Sequence, residues 1–118
     1  MQTSNFLIKG NDPESVSISR RCPSWYKGRH YEPLTPPSDL VDRYVNGTID
    51  ASQYEREFRR RVLSHLDPSR VFEDLGPNAI LLCNAPPGNF CHRRIVSDWL
   101  ETSLGIIVAE CSESQIVK

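Results

Sequence analysis

A chain of 118 residues with a formal net charge of -1 and 25% charged residues has room for one compact domain with a real core and too little for two. The near-neutral balance excludes a large nucleic-acid surface, which needs a basic face. No run approaches the roughly 18 apolar residues of a membrane span. The first residues lack the basic start and apolar core of a secretory signal, so a cytoplasmic protein is expected, with Cys22, Cys83, Cys91 and Cys111 reduced and no structural disulfide.

Two short strands, Asn5–Lys9 and Ser15–Ser19, are predicted around the turn cluster Gly10-Asn11-Asp12-Pro13. In the second, Val16 and Ile18 alternate with serines, as in a strand with one buried face. From Cys22 to Pro37 the pattern dissolves into a Pro-rich loop carrying Trp25, Tyr26 and Tyr31. A loop this long in a small domain is functional or mobile.

Ser38 reads as an N-cap, with Asp39 in the first turn, Leu40, Val41, Tyr44 and Val45 on one face, and Asn46-Gly47 as the stop. Asp50 caps a second helix, with Gln53 completing a capping box and Ile49 and Tyr54 a hydrophobic staple. Tyr54, Phe58, Val62 and Leu66 recur every four residues, so this helix is expected to reach about Leu66. Arg59-Arg60-Arg61 form its solvated face, balanced by Glu55 and Glu57. Asp67-Pro68 opens a third helix that Gly76-Pro77 ends.

Ala79–Cys83 is a continuous apolar run, the mark of a central parallel strand covered on both faces. Beyond it Ile95, Val96, Trp99, Leu100 and Leu104 make an amphipathic helix that Gly105 terminates, and Ile106–Glu110 reads as a last strand before a polar, fraying tail. These elements predict a single α/β domain over 1–118: a small, mainly parallel sheet with helices packed on its faces, a Rossmann-like three-layer arrangement. Ligands in such sheets sit beyond the carboxyl ends of strands, where the loop Asn84–Phe90 falls.

That strand–loop–helix carries the chemistry. Asn89 is placed to cap the helix, with Cys91 and His92 in its first turn and Arg93 just beyond. Because Pro86 and Pro87 donate no hydrogen bond, an anion cradle would come from the N–H groups of Gly88, Asn89, Phe90 and Cys91. If the Ser15–Ser19 strand lies parallel to Ala79–Cys83, Arg20 or Arg21 converges with Arg93 on one rim, enough for a phosphate. A helix N-terminus also activates a thiol, which makes Cys91 a candidate nucleophile. The plainer alternative has Cys91 as a small apolar packing residue, His92 on the surface and Arg93 or Arg94 solvated.

Known signatures do not fit. A cysteine phosphatase needs Arg six positions after its Cys, where Ser97 follows Cys91 and Asn89 follows Cys83. Gly-x-x-x-x-Gly-Lys-Ser/Thr and Gly-x-Gly-x-x-Gly are absent, and no cofactor is expected. A mixed zinc site could draw on Cys22, His30, Cys83, Cys91 and His92. Its spacing matches no common zinc motif, however, and adjacent Cys91 and His92 should point apart on a helix, so no metal ligand is expected. Trp25, Tyr26 and Tyr31 either stack a flat ligand or form their loop's own small core.

Leu81-Leu82-Cys83 and Cys91-His92-Arg93, preceded by Pro33-Leu34-Thr35-Pro36, Leu40, Tyr44, Gly47, Tyr54, Phe58 and Leu63, resemble the domain of unknown function family 488, the YeaO-like proteins, and especially its short phage and bacterial members. The resemblance runs from about Ser17 to Glu110. It implies a small α/β domain with the Cys-His-Arg segment at the active site, and it implicates Cys83, Cys91, His92 and Arg93, with Arg20 as the counterpart of an arginine that ends an early strand. Family members often carry an acidic residue two positions before that arginine; Ile18 stands there in this chain.

The resulting expectation is an uncharacterised protein that binds a phosphorylated or nucleotide-like anion, such as a nucleotide or sugar phosphate, around Cys83–Arg93. Arg20 and Arg93 hold the anion, Cys83, Gly88 and Asn89 contact it, Cys91 is nucleophile or orienting thiol and His92 a proton carrier. Whether a reaction is catalysed stays open at this level. The alternative, from another class, is a non-enzymatic interaction module, a phage or host accessory factor, that meets a protein partner through the Trp25–Tyr31 loop.

Overall fold

Four consecutive apolar residues, Ile80–Cys83, form the central strand of a five-stranded sheet. The computed structural model describes residues 1–84 and 90–111. In chain order the elements are β1 (Gln2–Asn5), α1 (Phe6–Lys9), β2 (Ser15–Ser17), β3 (Arg29–His30), α2 (Ser38–Val45), α3 (Ala51–Arg61), α4 (Pro68–Leu75), β4 (Ile80–Cys83), α5 (His92–Leu104) and β5 (Ala109–Glu110). Every pairing is parallel, in the order β3-β2-β4-β1-β5. The expected α/β sheet covered by helices is therefore what forms. Among the described residues no helix is long and apolar enough to cross a membrane.

The chain reaches β4 last among the three inner strands, so its carboxyl end lies where connections depart in opposite directions across the sheet. In α/β sheets that crevice is the ordinary ligand position. Register aligns Cys83 with Asn5 on one side and Leu82 with Ser17 on the other. Alternation along β4 then sorts the two faces. Leu81 joins Val16, Ile18, Phe58, Ile95, Val96 and Leu100 beneath α2 to α5, while Ile80 and Leu82 pack with Phe6 and Tyr26 on the thinner side.

Several elements differ from expectation. Asn5–Lys9 is not a strand: the Asn5 side chain accepts from the Ile8 N–H at 2.9 Å, an N-cap that turns Phe6–Lys9 into a short helix. The strand lies earlier, in polar Gln2–Asn5, because β4 and β5 supply ladder partners on both sides. Its Thr3 and Ser4 hydroxyls donate to Glu110 Oε1 (2.6 Å) and the Cys111 carbonyl (2.7 Å).

The Pro-rich loop contains β3 and is tied down rather than free. Arg29 donates to the Leu75 carbonyl at 3.2 Å, a cation at the C-terminus of α4, and the Tyr31 hydroxyl donates to Asp74 at 2.8 Å. Tyr26 packs edge-on against Phe6, ring centroids 5.0 Å apart. Tyr26 and Tyr31 thus anchor the loop to the rest of the fold, Tyr26 against Phe6, Ile80 and Leu82 and Tyr31 against the main core, leaving Trp25 half exposed.

Ser38 is the first helical residue of α2, with Pro37 at the cap position. The Asp50–Gln53 capping box forms as expected. α3 stops at Arg61 rather than Leu66, and a 3-10 turn at Leu63–His65 swings Leu63 into the core. The last strand is confined to Ala109–Glu110, since Ile107 points to solvent.

Candidate functional site

Cys83 ends β4 on the same face as Leu81, toward the start of α5. Asn89 and Gly88, expected as cap and cradle, lie outside the described residues; the residue at the cap position is Cys91, with extended backbone at φ -158° and ψ 146°. This one residue decides the site. Had Cys91 been helical, its side chain and that of His92 would diverge. At an extended cap they converge, and His92 Nδ1 lies 3.8 Å from Cys91 Sγ. The Cys83, Cys91 and His92 ligand atoms all fall within 4.8 Å of one another.

His92 is not a surface residue. It is 6% exposed, its ring meets Phe58 edge-on at 5.5 Å, and Nε2 lies 2.6 Å from the Ile18 carbonyl. A carbonyl only accepts, so Nε2 carries the proton and Nδ1 presents a bare lone pair to the sulfurs. Burial pushes the imidazole down to about 4; the Ile18 hydrogen bond opposes this and the neighbouring Arg93 charge adds to it. Neutral at physiological pH, His92 is an acceptor rather than a proton carrier there. Ile18 itself, where the resembled family often has an acid, is fully buried and contributes only its carbonyl.

The expectation of four unpaired thiols is not met: Cys83 and Cys91 are in disulfide contact, while Cys22 and Cys111 stand outside that pair. The Cα atoms of the pair stand 7.3 Å apart, wider than the ~4.4–6.8 Å that a disulfide normally spans.

Arg93 does not reach the rim. Its side chain is 1% exposed and grips Glu110 with two hydrogen bonds, Nε at 3.1 Å and Nη2 at 2.8 Å, while Nη1 donates to Cys83 Sγ at 3.1 Å. Burial pushes the Glu110 carboxyl up, but the hydrogen bonds from Arg93 and Thr3 outweigh it and hold the group below its ordinary value. The reason for the burial is positional: Arg93 is the second residue of α5, and β5 beyond it supplies a carboxylate that satisfies the fork.

In front of the cluster opens a cavity of about 400 Å³, with Cys83, Cys91 and His92 at its buried end. Arg20 and Arg21, both exposed, line it from the end of β2, as the parallel pairing of β2 and β4 requires. Asn84 Nδ2 donates to Ser19 Oγ (3.1 Å) and the Arg21 carbonyl (3.0 Å), fastening the two strand ends together. Arg20 Nε donates to the Pro36 carbonyl at 2.8 Å; its terminal nitrogens make no hydrogen bond among the described residues.

Val41, Tyr44, Tyr54 and Phe90 give the cavity an apolar wall, with the Asp42 carboxylate beside them. Tyr44 and Phe90 ring centroids are 5.1 Å apart. The sequence assigns Tyr44 and Tyr54 to the core, points to Asn84 only as the start of the ligand loop and to Phe90 only for its backbone N–H, and gives no role at the site to Glu110. The signal for Tyr44 was a polar-tipped aromatic on an otherwise aliphatic stripe; for Glu110 there was none.

No curated protein and no solved structure matches the chain. Residues 9–104, from α1 to the end of α5, match the family model DUF488-N3a, described as the active DUF488-N3 subclade. The resemblance carried by Cys83 and Cys91-His92-Arg93 is thereby shown, and the chain belongs to the DUF488 family in its DUF488-N3a subclade.

Proposed function

We propose that the cavity beside β4 binds a phosphorylated or nucleotide-like small molecule, with its anionic group on Arg20 and Arg21 and its flat part against Tyr44 and Phe90. The observation that carries this reading is the combination in one cavity of two exposed guanidiniums, an aromatic wall and a buried Cys-Cys-His cluster. Its volume of about 400 Å³ suits a small-molecule ligand. Arg20 keeps its terminal nitrogens for the ligand, and a guanidinium fork is matched to phosphate oxygens. Asp42 can accept from a ligand hydroxyl or ring N–H. Arg93 drops out of the binding set and supports the floor from behind, where its N–H favours negative charge on the Cys83 sulfur.

Thiol-assisted chemistry is the finer part of the reading. Cys91 lies at the amino end of a 13-residue helix, where the helix dipole stabilises a thiolate. It faces the cavity with bare His92 Nδ1 beside it. That this subclade is described as active is consistent with a working site.

A thermal-shift panel of nucleotides and sugar phosphates on reduced protein tests the binding. Stabilisation by at least one member is expected, on the order of 2.7 kcal/mol at a hundredfold excess over Kd, and it should be lost in Arg20→Ala/Arg21→Ala. No response to any member, or a response undiminished in the double variant, overturns it. The thiol part is read separately from the pH dependence of Cys91 alkylation in a Cys22→Ser/Cys111→Ser background. A titration at about 8.5, the unperturbed thiol value, removes it.

A further inference from the structure

We propose that Cys83, Cys91 and His92 form a zinc-type metal site, with two thiolates and the imidazole Nδ1 as ligands and a fourth position open to the cavity. The ligand atoms lie within 4.8 Å of one another. In a tetrahedral site with Zn–S of about 2.3 Å and Zn–N of about 2.0 Å, ligand atoms stand roughly 3.5–3.8 Å apart. The 3.8 Å from Cys91 Sγ to His92 Nδ1 already has that spacing. The Cα separation of 7.3 Å, too wide for a relaxed disulfide, suits two sulfurs that share an ion between them.

A second observation is independent of these distances. A metal-bound histidine almost always donates its other ring N–H to a carboxylate or backbone carbonyl, which fixes the tautomer and the ring plane. His92 does this through Nε2 to Ile18 at 2.6 Å, leaving Nδ1 as the only nitrogen able to bind. Outer support extends to sulfur, since Arg93 Nη1 donates to Cys83 Sγ at 3.1 Å and is itself held by Glu110. Two soft sulfurs and an imidazole select zinc over magnesium or calcium. Two thiolates balance its charge, so the ion adds none to this buried corner.

Three protein ligands with an open fourth position are the pattern of catalytic rather than structural zinc. The open position faces the cavity that Arg20 and Arg21 line. In the metal-bound form the sulfur lone pairs are engaged as ligands, and the electrophile at the floor is the ion. The site stands whether or not the cavity's ligand is a phosphate.

The test uses the whole chain, reduced and stripped of metal under anaerobic conditions, then titrated with Co²⁺. Expected are a thiolate-to-cobalt charge-transfer band and intense tetrahedral ligand-field bands. Both should saturate at a single ion per chain and be displaced by Zn²⁺. Mass-spectrometric mapping should show zinc protecting Cys83 and Cys91 from alkylation while Cys22 and Cys111 still react, a readout that needs no variant. His92→Gln should shift the ligand-field bands, and Cys22→Ser/Cys111→Ser should change nothing. The proposal fails if fully reduced protein gives no such bands, if zinc protects Cys22 or Cys111 instead, or if Cys83 and Cys91 resist reduction as a disulfide. A silent nucleotide panel with positive cobalt spectra would sink the ligand reading alone, and the reverse result the metal site alone.

Discussion

Arg20 and Arg93 stand at the same carboxyl edge of the sheet, and the sequence alone assigns both to one anion; the structure gives them opposite fates. Arg20 follows β2 into solvent, spends only Nε, on the Pro36 carbonyl, among the described residues and lines the cavity. Arg93, on the first turn of α5, runs inward to Glu110 and the Cys83 sulfur and is 1% exposed. Residue type does not decide which arginine binds a ligand. What decides is whether the fold already supplies a carboxylate. A guanidinium that is desolvated and doubly bonded holds structure together, whereas one left open at a cavity is available for recognition.

The sharpest way to break this contrast is Arg93→Ala. It removes a buried cation and leaves Glu110 half-buried without its fork, so a loss of about 3–5 kcal/mol is expected, measured by urea unfolding of reduced protein. Arg93→Lys should recover only part of it, because an ammonium cannot make the two parallel bonds. A loss below about 1 kcal/mol, the range of exposed pairs, would place Arg93 in the same class as Arg20.

A smaller effect follows from titrating the partner. The folded Glu110 carboxyl lies below its ordinary value of 4.5, so the unfolded chain binds its proton more readily than the folded one does. Stability from this group is complete above pH 4.5 and is lost as pH falls through the depressed folded value. Comparing the acid limb of the stability curve with that of Glu110→Gln isolates it. The variant should show the shallower fall, and identical slopes would mean that the pair contributes nothing.

How much of this could be read without coordinates depends on whether the deciding interaction was local. The apolar run ending at Cys83, the Asp50–Gln53 capping box and the Gly105 stop are local signals, and each forms as expected. β1 was hidden because Gln2-Thr3-Ser4 has no strand pattern of its own; ladder partners from β4 and β5 impose it. β3 was hidden inside a Pro-rich stretch for the same reason. At the site, Cys83, Cys91 and His92 are all legible in the sequence, yet helical geometry sets Cys91 and His92 pointing apart. The extended backbone of Cys91 at the helix cap brings them together, and no residue count reveals a cap conformation. The Arg93–Glu110 pair bridges 17 residues and depends on where the last strand docks.

The smallest effect on stability should come from the other side of the comparison. Arg20→Ala/Arg21→Ala removes exposed side chains whose only bond among the described residues beyond their backbone is Arg20 Nε to Pro36, so unfolding free energy should change by no more than about 0.5 kcal/mol. Cobalt spectra should be unchanged, since neither arginine touches the Cys83–Cys91–His92 cluster. Only the response to phosphorylated ligands should disappear, and it should do so more steeply at low salt, where exposed charges are least screened. If the double variant instead unfolds as readily as Arg93→Ala, the open arginines are structural. The anionic end of the ligand would then have to be met by the backbone N–H groups at the start of α5.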